Sequence, residues 1–180
     1  MEHILELYQK PYDPRRPLVC FDEKSVQLLA HITTPLILQP GQAIRQDYEY
    51  KRNGTRNLFL FVEPKAGSRQ VLVTNRRTKR DFAQAMRYLV DIMYPEAECI
   101  DIVMDNLNTH SPASFYATFP PSEARRLTER LEIHHTPKHG SWLNIAECEL
   151  SVLGRQCLAR RIDDGQRLAD EVAAWEADRN

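Results

Sequence analysis

Two aspartates stand where apolar segments of the sequence end, and they are its first sign of chemistry. Asp22 follows the run Leu18-Val-Cys-Phe, and Asp105 follows Cys99-Ile-Asp-Ile-Val-Met. Short runs rich in Val and Ile are typical of buried strands, and ligands of open α/β sheets bind beyond the carboxyl ends of such strands. Carboxylate oxygens are the ligands that hard cations such as Mg²⁺ prefer. The two aspartates therefore predict a divalent-metal site at one end of a sheet.

A third carboxylate is needed if the site is to hold a second ion, since two ions about 4 Å apart clamp the attacking and leaving oxygens of a phosphodiester. Ser141 is a natural N-cap for a helix over 142–158, which contains Glu147 and Glu149. These two residues point about 200° apart on a helix, so only one of them can face the sheet. Apolar residues flank both glutamates, and periodicity alone leaves the choice open. Trp142, at the start of this helix, is predicted to lie in the core.

Other polar residues near these segments have simpler interpretations. Lys138 and His139 precede the predicted helix and are candidate contacts to a DNA backbone. His134 and His135 have no accompanying cysteine pair, so phosphate contact or packing is favoured over zinc binding. Asp101 shares the face of Asp105 by the two-residue period of a strand, but it lies deeper, and we interpret it as structural.

The elements that must position the carboxylates follow from turn residues and periodicity. Ile4, Leu5 and Tyr8 predict a short amphipathic turn, and three prolines make residues 10–17 a stiff extended lead-in. Residues 1–17 are predicted as a linker from an N-terminal DNA-binding region, with residues 18–180 as the catalytic domain. Loop residues are expected around Thr34-Pro35 and Gln39-Pro-Gly41. The predicted strands are 18–23, 45–51, 57–62, 70–74, the run that ends at Asp105 and 132–135, with Asn53-Gly54 as a hairpin turn. The predicted helices are a single turn over 25–30 and longer helices over 78–94, 122–131, 142–158 and 164–175.

An antiparallel meander followed by strand–helix–strand crossovers defines the expected fold class. Such crossovers are right-handed by rule and give an α/β mixed sheet with helices on both faces. This is the arrangement of a ribonuclease H-like domain. In that topology the strand ending at Asp22 lies beside the strand ending at Asp105.

Composition limits the class of protein. The chain has 180 residues, 42% hydrophobic content and a formal net charge of −1, which is ordinary for one globular domain. Local basic clusters such as Arg76-Arg-Thr-Lys-Arg80 are large enough to contact phosphates, although solvated surface is an equal interpretation of each. The four cysteines show no C-x-x-C spacing, which predicts reduced thiols and a cytoplasmic protein.

Three segments together resemble the signature blocks of the DDE transposases, and most of all the bacterial insertion-sequence branch of the mariner superfamily. They are Phe21-Asp-Glu-Lys-Ser25, Met104-Asp-Asn-Leu-Asn-Thr-His110 and Thr136-Pro-Lys-His-Gly-Ser-Trp-Leu-Asn-Ile-Ala-Glu147. The resemblance implies a ribonuclease H-like fold and two-metal DNA strand cleavage and joining with Mg²⁺ or Mn²⁺. Its Leu-Asn-x-x-Glu pattern matches Leu143, Asn144 and Glu147. The implied catalytic and metal-binding residues are therefore Asp22, Asp105 and Glu147.

The same resemblance implies partners and a missing part. The partners would be transposon ends and target DNA, and a homodimer is compatible with them. Relatives carry a helix-turn-helix end-recognition domain that this chain lacks. Two alternatives stay open: a ribonuclease H-like nuclease that only hydrolyses nucleic acid, and a non-catalytic transposase remnant.

Overall fold

The computed structural model describes residues 2–32, 49–107 and 110–180. In these ranges a sheet of five strands has the order β3-β2-β1-β4-β5. Its strands are β1 (Leu18–His31), β2 (Tyr50–Glu63), β3 (Ser68–Thr74), β4 (Ile100–Met104) and β5 (Leu131–His135). β1, β2 and β3 form an antiparallel meander, whereas β4 pairs in parallel with both β1 and β5. The predicted mixed sheet is confirmed.

Helices cover both faces of this sheet, as predicted. They are α1 (Glu2–Gln9), α2 (Lys79–Tyr88), α3 (Ala113–Tyr116), α4 (Pro121–Arg130), α5 (Ile145–Gln156) and α6 (Gly165–Arg179). A π-helical turn, Leu89–Met93, extends α2, and a 3₁₀ turn, Ser141–Leu143, precedes α5. Within the described ranges, a helix with the length and apolar character needed to cross a membrane is not found.

Alternation along the strands divides the core into two layers. Cys20, Leu60 and Val103 pack on the face covered by α1, α5 and α6. Phe21 and Ile102, their neighbours in sequence, pack on the opposite face with residues of α2, α3 and α4. This division follows from the two-residue period of a strand, and it decides which face each residue at a strand end shares.

Two local predictions on the first hairpin are wrong. Residues 25–30 belong to β1 and form a ladder with β2, where a helical turn was expected. Asn53-Gly54 lies inside β2, where the pairing changes from Gln27–Thr55 to Leu29–Arg52. Gly54 has φ +102°, so the left-handed preference of glycine produces a bulge here instead of a hairpin turn. The predicted residues 45–48, Thr34-Pro35 and Gln39-Pro-Gly41 lie outside the described residues, as does Asn108.

Helix starts follow the expected capping chemistry in most cases. Thr78 and Asp81 form a capping box at α2, and Asp164 caps α6. Ser141 does not cap α5, because residues 141–143 form a 3₁₀ turn and Asn144 takes the cap position. The turn leaves Trp142 62% exposed, so its predicted place in the core is wrong.

The amino-terminal helix is packed against the rest of the fold. Leu7 is 1% exposed and lies in the same core layer as Leu18 and Leu143. The Tyr8 hydroxyl donates a hydrogen bond of 2.7 Å to the Leu143 carbonyl. Residues 2–9 are thus a packed element, which the interpretation of residues 1–17 as a linker did not anticipate.

We expect Leu7→Ala to lower the free energy of unfolding by about 2–5 kcal/mol, because the truncation leaves a cavity in the core. Leu5→Ala is the matched control on the same helix, since Leu5 is 42% exposed, and it should change stability by less than about 0.5 kcal/mol. Urea denaturation measures both. Equal effects of the two substitutions would show that α1 is not packed as described.

Candidate active site

The parallel pairing of β1 and β4 brings the two predicted aspartates to one end of the sheet. Cys20 pairs with Val103, and Asp22 and Asp105 each lie two residues further along the chain. The two strands are direct neighbours. The two aspartates therefore belong to neighbouring strands, as predicted, but the predicted end of the first strand is wrong, because β1 continues past Asp22 to His31.

Both aspartates share the face of the sheet that α5 covers. Side chains alternate along a strand, so Asp22 has the face of Cys20, and Asp105 has the face of Val103. Cys20 and Val103 pack with Ala146 of α5 in one core layer. The start of α5, with Glu147 next to Ala146, consequently lies over the part of β1 around Cys20 and over the end of β4.

The ionisation of Asp22 depends on its burial and on the charges of the other two predicted residues. Burial raises the pKa of Asp22 to about 6, and the backbone N–H of Glu23, which donates to Asp22 Oδ1 at 2.8 Å, opposes that rise. The charges of Asp105 and Glu147 raise the pKa of Asp22 further. Like charges within a few ångströms of a group disfavour its ionised form. The arrangement therefore concentrates negative charge in a way that a cation would relieve.

Contacts of α5 separate the two candidate glutamates. Glu149 pairs with Arg69 at 3.4 Å and with Arg179 at 3.2 Å, on the side where α5 meets β3 and α6. Glu147 is exposed and acts on the charge of Asp22. The two side chains thus lie on opposite sides of the helix, and Glu147 is the one whose charge acts on Asp22.

A buried histidine is wedged beside the carboxylates. His110 is 1% exposed and lies against the rings of Phe21 and Phe82, with ring centroids 5.4 and 4.9 Å away. Its Nδ1 is 2.6 Å from Asp105 Oδ1, and its Nε2 is 3.7 Å from Glu23 Oε2. Burial alone would lower the pKa of His110, but the neighbouring carboxylates outweigh it and raise that pKa to about 9. His110 therefore supplies positive charge inside the acidic site.

The surroundings of Asp105 suit a cation. The imidazole of His135 donates from Nδ1 to the Asp105 carbonyl at 3.2 Å and so holds the backbone in place. Asp105 Oδ1 is buried and lacks a well-aligned hydrogen bond among the described residues, even with His110 close by. Carboxylates supply the oxygen ligands that Mg²⁺ and Mn²⁺ take. The site has three of them, and Asp105 Oδ1 is an oxygen without a well-aligned hydrogen bond in the described part of the chain.

Comparison of the whole sequence with known protein families identifies the family of this chain. The family model described as DDE superfamily endonuclease matches residues 17–169, which is most of the chain. The chain belongs to the DDE superfamily endonucleases. No curated protein sequence matches it.

Solved structures with the same fold are complexes of the Mos1 mariner transposase. The paired-end complex with Mn is 16% identical with a TM-score of 0.66, and the strand transfer complex is 16% identical with a TM-score of 0.65. The paired-end complex with Mg is 18% identical with a TM-score of 0.61. The alignments cover 99% of this chain but only 52–53% of those chains. This DDE superfamily endonuclease therefore has the ribonuclease H-like fold over about half the length of its structural relatives.

The two predicted DNA-contact residues lie outside the carboxylate cluster. Lys138 and His139 are exposed on the loop between β5 and the 3₁₀ turn. His139 has φ +65°, a left-handed conformation that is uncommon for residues other than glycine. The loop runs from His135, which contacts Asp105, to Asn144, which caps α5. Both exposed side chains are thus carried by a segment anchored at the site.

A second charged cluster of the endonuclease lies at the other end of β4. Asp101, Glu132 and His134 have ligand atoms within 4.8 Å of one another. Arg16 donates two hydrogen bonds to Asp101, of 2.8 and 3.0 Å, and also pairs with Glu132. His134 Nε2 lies 2.8 Å from Asp101 Oδ1. Because Arg16 already pairs with both carboxylates of this cluster, it is an ion-pair network, in keeping with the structural interpretation of Asp101.

Sequence reasoning missed two residues of the site. His110 was noted only as the last residue of a signature block, and Asn144 only as part of the Leu-Asn-x-x-Glu pattern. A polar residue five positions after Asp105, in a segment that returns to the sheet, was the available signal for His110. For Asn144 it was the preference of asparagine for the N-cap position.

Replacing Asp101 should test the structural network separately from the active site. Burial favours the neutral carboxyl, but the hydrogen bonds from His134 and Arg16 outweigh it and hold the pKa of Asp101 below its ordinary value of 3.8. The stabilisation is therefore complete above pH 3.8 and is lost as the pH falls through the lower, folded-state pKa. Asp101→Asn should cost about 2 kcal/mol at pH 7 and less at pH 3.

Urea denaturation at both pH values measures this difference. Asp163→Asn is the control, because Asp163 forms an exposed pair with Arg167 that should contribute no more than about 1 kcal/mol. A loss for Asp101→Asn that stays constant between pH 7 and pH 3 would contradict the assigned ionisation.

Proposed function

We propose that this chain is the catalytic core of a DNA transposase, which cleaves DNA strands and joins them to target DNA. The observation that carries the proposal is that the pairing of β1 with β4 places Asp22 and Asp105 on neighbouring strands, and that the charges of Asp105 and Glu147 both act on Asp22. Membership of the DDE superfamily endonucleases supports phosphodiester chemistry. The fold shared with the Mos1 strand transfer complex supports joining as well as cleavage.

The carboxylates would hold two divalent ions, Mg²⁺ or Mn²⁺, which would activate the attacking oxygen and stabilise the leaving oxygen of the phosphodiester. The Mos1 complexes with Mn and with Mg support this choice of metals. Asp22 and Asp105 come from rigid neighbouring strands, and Glu147 comes from the first turn of α5. His110 and His135 hold Asp105 from two sides.

The proposed partners are transposon ends and target DNA. The paired-end complexes of Mos1 support a homodimer that holds two ends. Lys138 and His139, on the loop next to the site, are proposed to contact the DNA backbone. The four cysteines, all within the described residues, are free thiols, which suits action in the reducing cytoplasm.

Substitution of the two α5 glutamates should separate catalysis from structure. We expect Glu147→Gln to lower Mn²⁺-dependent nicking of supercoiled plasmid by more than 100-fold, because even contacts one step removed from a metal are worth about 10- to 100-fold. Asp22→Asn and Asp105→Asn should do the same. Glu149→Gln is the matched control, and it should leave nicking largely intact while lowering stability through the loss of its pairs with Arg69 and Arg179.

The same assay distinguishes the alternatives when a DNA with exposed 3′-hydroxyl ends is added. Joined products support a transposase, whereas nicking without joining indicates a nuclease. Absence of metal-dependent nicking in the unaltered chain would indicate a non-catalytic remnant. If Glu149→Gln abolished nicking and Glu147→Gln did not, the assignment of the third carboxylate would be wrong.

The proposed DNA contact has its own test. Lys138→Ala should weaken binding to unrelated DNA sequences by a similar factor and reduce the slope of log affinity against log salt by about 1. Lys10→Ala is the control, because Lys10 borders a cavity with Leu18 and Asp101 at the opposite end of the sheet. Fluorescence anisotropy at several salt concentrations measures both. An unchanged salt slope for Lys138→Ala would exclude Lys138 as a phosphate contact.

A further inference from the structure

One buried side chain links the strand that carries Asp22 to the helix that carries Glu147. Asn144 is 2% exposed and stands at the N-cap of α5. Its Nδ2 donates a hydrogen bond of 2.9 Å to the carbonyl of Phe21, the residue directly before Asp22. The side chain therefore crosses from the helix start to β1, directly before Asp22.

The other polar groups of Asn144 hold the first turn of α5. Its Oδ1 accepts a hydrogen bond of 3.2 Å from the backbone N–H of Ala146. Its backbone carbonyl accepts one of 3.0 Å from the backbone N–H of Glu147. Asn144 is therefore hydrogen-bonded both to the backbone of Glu147 and to Phe21, the residue directly before Asp22.

These contacts require an amide. Only a side-chain amide offers an N–H donor and a carbonyl acceptor on one planar group. Aspartate would still accept from Ala146, but it cannot donate to Phe21 when ionised. Serine is also a good N-cap, but it is too short to keep the contact with Phe21 as well.

We propose that Asn144 is the positioning residue that sets the separation of Glu147 from Asp22, and hence the geometry of the metal site. Of the three carboxylates, Glu147 is the only one that the sheet does not position. The start of α5 is also held by apolar packing and by the bond from the Tyr8 hydroxyl to the Leu143 carbonyl, but the bond to Phe21 is the contact that joins it to the residue directly before Asp22. The proposal rests on the function proposed above for these carboxylates.

The test replaces the donor and keeps the cap. Asn144→Asp should raise the dissociation constant for Mn²⁺, measured by electron paramagnetic resonance of the free ion, by about 10-fold or more. Hydrogen exchange should become faster in the segments 18–24 and 143–150. Asn144→Ser should show the same changes, and it serves if the aspartate variant does not fold.

Asn57→Asp is the matched control. Asn57 is also buried, donates to a backbone carbonyl, that of Asn75, and accepts from Ser25, but it lies on β2 away from α5. Asn57→Asp should lower thermal stability about as much as Asn144→Asp does. It should leave Mn²⁺ affinity within about twofold of that of the unaltered chain, because a purely structural change does not act on the metal ligands.

The outcomes separate the positioning role from the proposed function. The positioning role would be overturned if hydrogen exchange in both segments of the Asn144 variants stayed as slow as in the unaltered chain. It would also be overturned if the Asn144 variants kept their Mn²⁺ affinity while Asp22→Asn abolished Mn²⁺ binding. If Asp22→Asn does not weaken Mn²⁺ binding, the metal site of the proposed function fails, and the exchange measurement alone decides whether Asn144 couples β1 to α5.

Discussion

The parallel pairing of β1 with β4 is the constraint on which the rest of the site depends. It fixes Cys20 opposite Val103, so the next residues on the same face, Asp22 and Asp105, arrive together. A shift of one residue in this pairing would move one carboxylate to the face covered by α2 and α4. The buried apolar residues on both faces of the two strands oppose such a shift, and the core thereby protects the geometry of the polar site.

The carboxylates at the two ends of this sheet have opposite electrostatic surroundings. At one end, hydrogen bonds from His134 and Arg16 hold the pKa of Asp101 below the ordinary range, despite its burial. At the other end, the described residues place His110 as the charge partner of Asp105, and the pKa of Asp22 is raised by burial and by its acidic neighbours. The second arrangement costs stability unless a cation joins it, and such unpaired charge is typical of functional sites.

Elements outside the sheet complete the site by holding the start of α5. Tyr8 of α1 donates to the carbonyl of Leu143, and Asn144 donates to the carbonyl of Phe21. These bonds connect the amino-terminal helix, the 3₁₀ turn and β1 at Phe21. The loop before them carries Lys138 and His139 on a backbone anchored at both ends, so any DNA contact that they make is held in register with the carboxylates.

The sequence by itself determined the strands to which Asp22 and Asp105 belong, the meander and crossover order and the two glutamate candidates, because apolar runs, periodicity and turn residues are local signals. Tertiary structure decided what those signals leave open. Asn53-Gly54 became a bulge because β1 and β2 pair across it, and Trp142 is exposed because the 3₁₀ turn delays α5 until Asn144. Glu149 faces Arg69 and Arg179, which leaves Glu147 for the site, and His110 is buried against Phe21 and Phe82. Each of these outcomes depends on residues distant in sequence, which no local pattern contains.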